Sequence, residues 1–475
     1  MGECRVEYFF HLKERGTTVR TELMAGLTTF FAMAYILMVN ANMFANPLGD
    51  GTQLLGVSYG AIYVATALSA VVGTVLVGLL ANLPLAQATG MGLNAFFVYT
   101  VCTGFGFTYA NGLVFVFFDG AAFILLTVTG LRRKIFAAIP PEVRKVIPAG
   151  IGLFIAFLGL QNAGLVVVST STCVTLGSFN LLRPGSWAAV MPLAVTVIVF
   201  LAVAIMARRQ VKGAVLIGIL GGSLLYYLLG LTVPGFFDSL DLSLVSPLAA
   251  LRDFGTQTLG TVFRDGFDFS AYISAHGAAN FALMLFTTVL AFCMVDLFDT
   301  MATLYGACAR GGLLTADGQV PRMDRAMLAD AVATVFGAVC GTSTVTTTLE
   351  SSSGIISGGR TGLSSLFTAA MFFVSMFLSP VAQLIPSCAT AAVLIYVGVL
   401  MMPCVREIEW NRIEDAVPAF LTMAMMPLTY NISYGLAFGM ISYVAVRLFT
   451  GRAREIHSGT WAITALFLAM LLLTH

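Results

Sequence analysis

Apolar runs about as long as a bilayer is thick recur along the whole chain, and they leave one class of fold open to it. A helix needs about 20 apolar residues to cross the hydrocarbon layer. Clear candidates are 24–40, 58–80, 111–130, 146–164, 187–207, 213–233, 281–306, 362–380, 386–402, 413–429 and 432–449. Three segments are weaker: 85–103 and 342–358 are interrupted and rich in Gly, Thr and Ser, and 326–341 is short but apolar. Counting these gives fourteen crossings. A last run, 459–474, is short and is read as an interfacial or peripheral helix. Only 10% of the residues are charged and 58% are hydrophobic; a soluble domain carries about 25% charged residues. Such a chain cannot cover a soluble surface, so the expected fold is an all-α polytopic membrane protein in contact with the lipid bilayer.

Composition also excludes function classes. The net charge of +1 implies no nucleic-acid partner. The eight Cys (4, 102, 173, 293, 308, 340, 388, 404) are scattered, without CxxC or Cys/His spacing, so no metal site or disulfide framework is expected. His11, His276, His457 and His475 all lie outside the deep apolar runs, which argues against a histidine proton relay. The chain is polar up to about Glu22, and no cleavable signal peptide is expected.

The basic residues test the count of crossings. With a cytoplasmic N-terminus and fourteen crossings, 21 of the 24 Lys and Arg fall on the cytoplasmic side. Only Arg183, Arg252 and Arg264 fall outside. That satisfies the positive-inside rule, and one span miscounted in mid-chain would invert the bias beyond it. The longest polar connection, 234–280, carries Asp238, Asp241, Asp253, Asp265 and Asp268 and separates seven spans from seven. An odd number per half gives the halves opposite orientation, the inverted-repeat plan of secondary transporters. The expected organisation is a first repeat at 1–233, an external connection at 234–280, a second repeat at 281–450 and a tail with an apolar helix at 451–475. Echoes support it: TTFFAMAYI resembles TTVLAFCMV, and GMGLNAFF takes the place of TTLESSS. The small-residue clusters Gly150/Gly152 and Gly218/Gly221/Gly222 predict close helix packing.

Asp296 and Asp299 stand inside the apolar run 281–306. An acid at that depth costs roughly 2.5–3.5 kcal/mol on insertion scales, which makes it a functional candidate by default. Glu350, in GTSTVTTTLESSSG, is the one other acid judged comparably enclosed. The interruptions at 82–92 and 342–348 predict extended backbone, with half-helices starting near Leu93–Asn94 and near Glu350. Corresponding interruptions in both halves point to a midplane binding site. Asp296, Asp299, Glu350 and Asn94 are therefore expected around one cavity. A carboxyl group there can bind and release a proton near neutral pH, and a carboxylate accepts paired N–H donors such as those of a purine ring. Each residue has a plainer role: the aspartates could cap a kinked helix, Asn94 could cap its half-helix, and Glu350 could be a first-turn charge worth about 0.3–1 kcal/mol. Enzyme signatures are absent: there is no GxGD, no H-E-x-x-H and no G-x-x-x-x-G-K-[ST]. A channel is the other non-carrier class.

GTTVRTELMAGLTTFFAMAYILMVN, ATGMGLNAFFVYT, VDLFDTMATLYG, RAMLADAVATVFGAVCGTSTVTTTLESSSG, GGRTGL and AVPAFLTMAMMPLTYNISYGLAFGMISY resemble the azaguanine-resistance type of purine permease, relatives of the uracil and xanthine permeases. The resemblance covers about residues 11–455. It implies uptake of adenine, guanine or hypoxanthine by proton symport, with protons as coupling ion and no other cofactor. It also implies the uracil-permease-like fold: spans 1–4 and 8–11 as a core, spans 5–7 and 12–14 as a gate through which homodimers form. Asn94, Asp296 and Glu350 match positions of base recognition, flanked by Gly92, Thr348 and Ser351. Asp299 matches an acid needed for transport and is assigned with Glu350 to proton coupling. Related carriers often have an aromatic at the position of Thr348, so ring stacking is expected from Phe96 or Phe298. The runner-up is a carrier of another solute on this fold: a pyrimidine, xanthine or an anion.

Overall fold

The structure is a computed structural model that describes residues 7–47, 52–130, 138–181, 186–237, 246–315 and 319–474. Arg5, Arg132, Arg133, Lys134, Arg183, Asp238 and Asp241, which entered the charge argument, lie outside the described residues. The first half runs through α1 (Val19–Met33), α2 (Tyr35–Ala45), α3 (Tyr59–Leu80), strand β1 (Gln87–Thr89), α4 (Met91–Ala95), α5 (Tyr109–Thr129), α6 (Pro141–Asn162), a hairpin of β2 (Val166–Ser169) and β3 (Cys173–Leu176), α7 (Trp187–Arg208) and α8 (Ala214–Gly230). The second half runs through α9 (Ala278–Arg310), α10 (Met323–Cys340), β4 (Val345–Thr347), α11 (Ser352–Ile356), α12 (Gly362–Ser375), α13 (Ser387–Met401), α14 (Ile413–Thr429), α15 (Ile432–Phe449) and α16 (Ser458–Thr474). Helix, helix, strand and short helix recur in the same order in each half.

Among the described residues, nine helices are long and apolar enough to cross a membrane, which makes this an integral membrane protein. At the positions of the other expected crossings stand α8 and α14, of 17 residues each, α10, of 18, and the two interrupted segments. α16 packs on α15 and α9 and buries Phe467. The connection between the halves holds more structure than its polarity suggested. The short helices Pro247–Asp253, Thr261–Arg264 and Ser270–His276 lie against α3, α5, α10 and α9. The Asn111 amide holds them by donating to the Gly266 and Asp268 carbonyls at 2.8 and 2.9 Å.

Two groups of helices can be traced by packing. In one, α3 packs on α10 and α12, α10 on α5, α12 on α1 and α5 on α9; in the other, α6 packs on α13 and α14, α14 on α15, and α7 on α8 and α13. Water release does not drive helices together in lipid, so close van der Waals approach has to. A Cβ at Gly398 of α13 would lie 2.4 Å from the Gly152 carbonyl of α6. Gly218 and Gly222 likewise admit Val203 and Val199 of α7, whereas Gly221, expected to do the same, faces open space.

Helix starts follow local chemistry. Thr18, Ser58, Thr108 and Asn431 cap α1, α3, α5 and α15 with their side chains, each worth about 1 kcal/mol. At α12 the N-cap Thr361 accepts from the Leu363 N–H at 3.3 Å, and a second cap comes from across the fold. Glu22 of α1, fully buried, accepts from the backbone N–H groups of Arg360, Thr361 and Ser364 at 2.9, 3.4 and 3.2 Å. Arg15 donates to the Arg360 carbonyl at 2.9 Å, so the N-terminal basic segment and Arg360 share one end of the molecule. Arg447, in the last turn of α15, is buried rather than solvated. It bonds Glu455 and Glu142, the latter at 3.1 Å, and stands 4.7 Å over the Tyr443 ring.

Glu22→Ala removes a carboxylate that three buried donors use. The expected loss is about 1–3 kcal/mol, read as a lower unfolding temperature in detergent; an unchanged temperature would mean that the clasp contributes nothing.

Candidate functional site

Extended backbone at membrane depth is tolerated only where it is buried in protein or lines a cavity. Here the two extended pieces satisfy each other. β1 and β4 pair antiparallel, with Gln87 opposite Thr347, Ala88 opposite Thr346 and Thr89 opposite Val345. Backbone bonds from Gly90 to Thr344 (3.1 Å) and from Thr348 to Ala86 (3.2 Å) prolong the ribbon. The extended stretches are therefore where the sequence placed them. The first half-helix starts at Met91, earlier than expected, because the Gly90 carbonyl already accepts from the Asn94 N–H at 2.9 Å. Beyond α4 the coil widens into a π-helix over Phe96–Gly104.

A carboxylate holds the ribbon in place. Asp330 of α10, fully buried, accepts from the Thr347 N–H (2.8 Å), the Thr347 hydroxyl (3.2 Å), the Gln87 amide (3.0 Å) and the Thr300 hydroxyl. Neither Gln87 nor Asp330 was singled out from the sequence. The available signal was an acid in an apolar helix, the same signal that marked Asp296.

The first turns after both strands open into a cavity of about 1220 Å³. Gly92 and Leu93 line one side, Thr348 and Glu350 another, and Phe298 and Asp299 of α9 a third. Tyr35, just past the break between α1 and α2, completes that wall and donates its hydroxyl proton to Glu350 at 2.6 Å. The second helix group contributes Ile151 of α6 and Tyr396 of α13. The cavity extends to Arg144, Lys145, Lys212 and Arg310, at the basic end of the molecule. First-turn amides have no intrahelical acceptor, so the two half-helices, the two carboxylates and the aromatic rings suit a small, flat, polar solute with both donors and acceptors.

The expected constellation is divided. Glu350, Asp299, Thr348 and Gly92 line the cavity, but Asn94 and Asp296 do not; both are fully buried behind it. None of the side-chain polar atoms of Asn94 or Asp296 has a hydrogen-bond partner. The reason lies in where the cavity meets α9: near Asp296 it touches Val295, Phe298 and Asp299, and it widens further along to Met301, Ala302, Thr303, Tyr305 and Gly306, so Asp296, turned by about 60° from Asp299, stays behind it. Ser351 also stays out of the cavity, with its hydroxyl bridging the Ala86 N–H and carbonyl at 3.0 and 3.2 Å. Of the two rings considered for stacking, Phe298 lines the cavity, while Phe96 is buried against Phe292 with centroids 4.8 Å apart. Glu350, which is half-buried, is not the most enclosed acid outside α9: Asp119, in VFVFFDGAAF of α5, is fully buried.

A family described as "Permease family" (Xan_ur_permease) matches residues 20–438. The chain belongs to this permease family. The permease is 36% identical to the adenine permease AdeP of Escherichia coli, over 98% of this chain and 96% of that protein. It is 38% identical to the guanine/hypoxanthine permease PbuG of Bacillus subtilis, over 97% and 98%. Among solved structures, the transmembrane domain of the cyanobacterial bicarbonate transporter BicA superposes with a TM-score of 0.60 at 17% identity, covering 87% of this chain and 96% of that one. At that identity the likeness concerns the fold, and it bears out the transporter fold expected from the sequence. The resemblance to purine permeases is borne out by relatives that match along nearly the whole permease.

Gly92 marks where the two helix groups meet in the permease. A Cβ there would lie 2.3 Å from Cγ2 of Ile151. Gly92→Ala is expected to cost about 1–3 kcal/mol through overpacking, read as a lower unfolding temperature. The double variant Gly92→Ala/Ile151→Ala should regain much of it; an additive loss in the double variant would show that the two residues do not meet.

Proposed function

We propose that this permease imports purine nucleobases, namely adenine, guanine or hypoxanthine, by proton symport across the cell membrane, with its N-terminus in the cytoplasm. The observation that carries the proposal is the cavity in which Asp299 and Glu350 face the first turns of two half-helices. Similarity along nearly the whole chain to an adenine permease and a guanine/hypoxanthine permease supports this substrate class. A purine edge presents N–H donors to a carboxylate and ring nitrogens to backbone N–H groups, and Phe298 and Tyr396 lie at the cavity wall to meet its faces.

In this scheme Glu350 binds the base, oriented by the Tyr35 hydroxyl. Asp299 takes the coupled proton, or Glu350 does so as the base leaves. A proton on either acid removes one charge from the loaded site, which lowers the desolvation cost of carrying it past an apolar barrier. Sparse packing between the two helix groups supports a core that moves against a gate. The cavity as described runs to the basic end, which is the cytoplasmic side under this topology, so the arrangement corresponds to an inward-open state. Asn94 and Asp296, which the resemblance assigns to the base, would reach it only through a rearrangement of α4 against α9.

The test is uptake of labelled purine by cells that lack purine transport and express this chain. Competition should come from adenine, guanine or hypoxanthine rather than uracil, and a protonophore should abolish accumulation. Preference for uracil or bicarbonate, or flux that does not saturate, would overturn the proposal. Glu350→Gln should abolish accumulation; full accumulation against a gradient would remove Glu350 from the proton step. Tyr35→Phe deletes one hydrogen bond to a charged group, worth about 1.5–3 kcal/mol. It should weaken apparent purine affinity about tenfold or more.

A further inference from the structure

Behind the cavity wall lies a second group of acids that base binding in the cavity does not use. Asp119 stands at the middle of α5 and is fully buried. Neither of its carboxylate oxygens has a hydrogen-bond partner, and neither oxygen of Asp296 has one. The two acids interact electrostatically, and each also senses Asp330 of α10. Cys293, almost one turn before Asp296, interacts electrostatically with both. Gly120 lets two helices close together here: a Cβ there would sit 2.8 Å from the Val335 nitrogen, so α5 and α10 approach backbone to backbone beside Asp119.

Asp330 shows what a buried acid with a structural task looks like, since donors from three other segments converge on it. Asp119 and Asp296 have none. A bare carboxylate in such surroundings is unfavourable by several kcal/mol, and two facing each other are worse. The pair needs a cation. A metal ion would ask for about six to eight oxygen ligands if calcium-like, and among the described residues no metal-holding group of three acids, Cys or His is found. A proton needs no such shell.

We propose that Asp119 and Asp296 form a carboxyl dyad that holds a transported proton behind the purine cavity. Asp296 interacts electrostatically with Asp299, which faces the cavity less than one turn further along α9. Asp299 is then the port through which the proton passes between cavity and dyad. The titratable groups facing Asp119 are Cys293 and Asp296 of α9 and Asp330 of α10. From the other elements packed on α5, Cys102 lies by Tyr109 at the start of the helix, Tyr99 bonds the Pro47 carbonyl, and Arg264 bonds Thr256 and Thr261 at the exposed surface. Among the described residues no Arg or Lys is found acting on Asp119 or Asp296.

The inference rests on purine–proton symport and is tested in proteoliposomes of the full chain with labelled hypoxanthine, guanine and adenine. For one proton per base, the wild type should accumulate purine about tenfold per unit of imposed pH gradient. Asp119→Asn should lose that accumulation and flatten the pH profile of uptake, while its purine affinity at one fixed pH stays close to wild type. A merely structural role for Asp119 would lower expression or affinity without flattening the profile. Should Asp119→Asn not be monodisperse, Asp119→Ser is read by the same measurements. Gradient-driven accumulation and a pH profile equal to wild type would overturn the dyad, and so would accumulation driven by sodium in place of protons. Wild-type vesicles that take up no purine would refute the transport reading itself; wild-type uptake with an indistinguishable variant would refute only the role of Asp119.

Discussion

The antiparallel pairing of β1 with β4 is the interaction on which the rest of this structure depends. Three residues from each half leave the helical state inside an apolar body, and their backbone polar groups have no water to turn to. Each strand is the other's hydrogen-bond partner, so neither half can unwind its segment alone. Asp330 then converts a bare ribbon into a located one by binding β4 and Gln87 of β1 at once. From that position the first turns of α4 and of the helical segment after β4 reach the cavity, and the purine site proposed above follows from where those turns point.

A second constraint is the separation of the helices into two groups that touch little. Within each group, glycine pairs such as Gly152 and Gly398 bring backbones into contact. Between the groups, the contact at Gly92 and Ile151 is tight but local. The cavity lies along this seam and takes its two carboxylates, Asp299 and Glu350, from one group, and Ile151 and Tyr396, with Arg144 and Lys145 towards the basic end, from the other. In the function proposed above, the chemistry would reside in one group and access would be governed by the other.

Much of this was legible in the sequence. Hydropathy marked the spans, the β-branched run Thr344–Thr348 marked one extended stretch, and Pro84 with Gly90 marked the other. Asp299 and Glu350 stood out because acids are costly at depth, and both line the cavity. What was not legible depends on angles and on distant partners. Helical phase together with the narrowing of the cavity separates Asp299 from Asp296, and no spacing rule says where along α9 the cavity meets it. Tyr35 was hidden because a tyrosine in an apolar run looks like packing until a break in the helix aims it at Glu350. Asp330 and Asp119 carried the same signal as Asp296, but in a short helix and in a run without a second acid nearby. The three helices of the connection were masked by its polarity.

The register of the ribbon has a consequence for how the two halves can change over time. Gln87 and Thr347 lie opposite each other and both turn to Asp330, whereas side chains one position along point to the other face. A single residue inserted between strand and half-helix would turn each following helical side chain by about 100° about the helix axis. Glu350 would lose Tyr35, or Gly92 would be replaced at the seam by a residue with a Cβ. The loops between the other helices are free to lengthen, but from Ala86 to Leu93 and from Thr344 to Glu350 the spacing behaves as a counted frame. Divergence in those two stretches is confined to exchange of side chains in place.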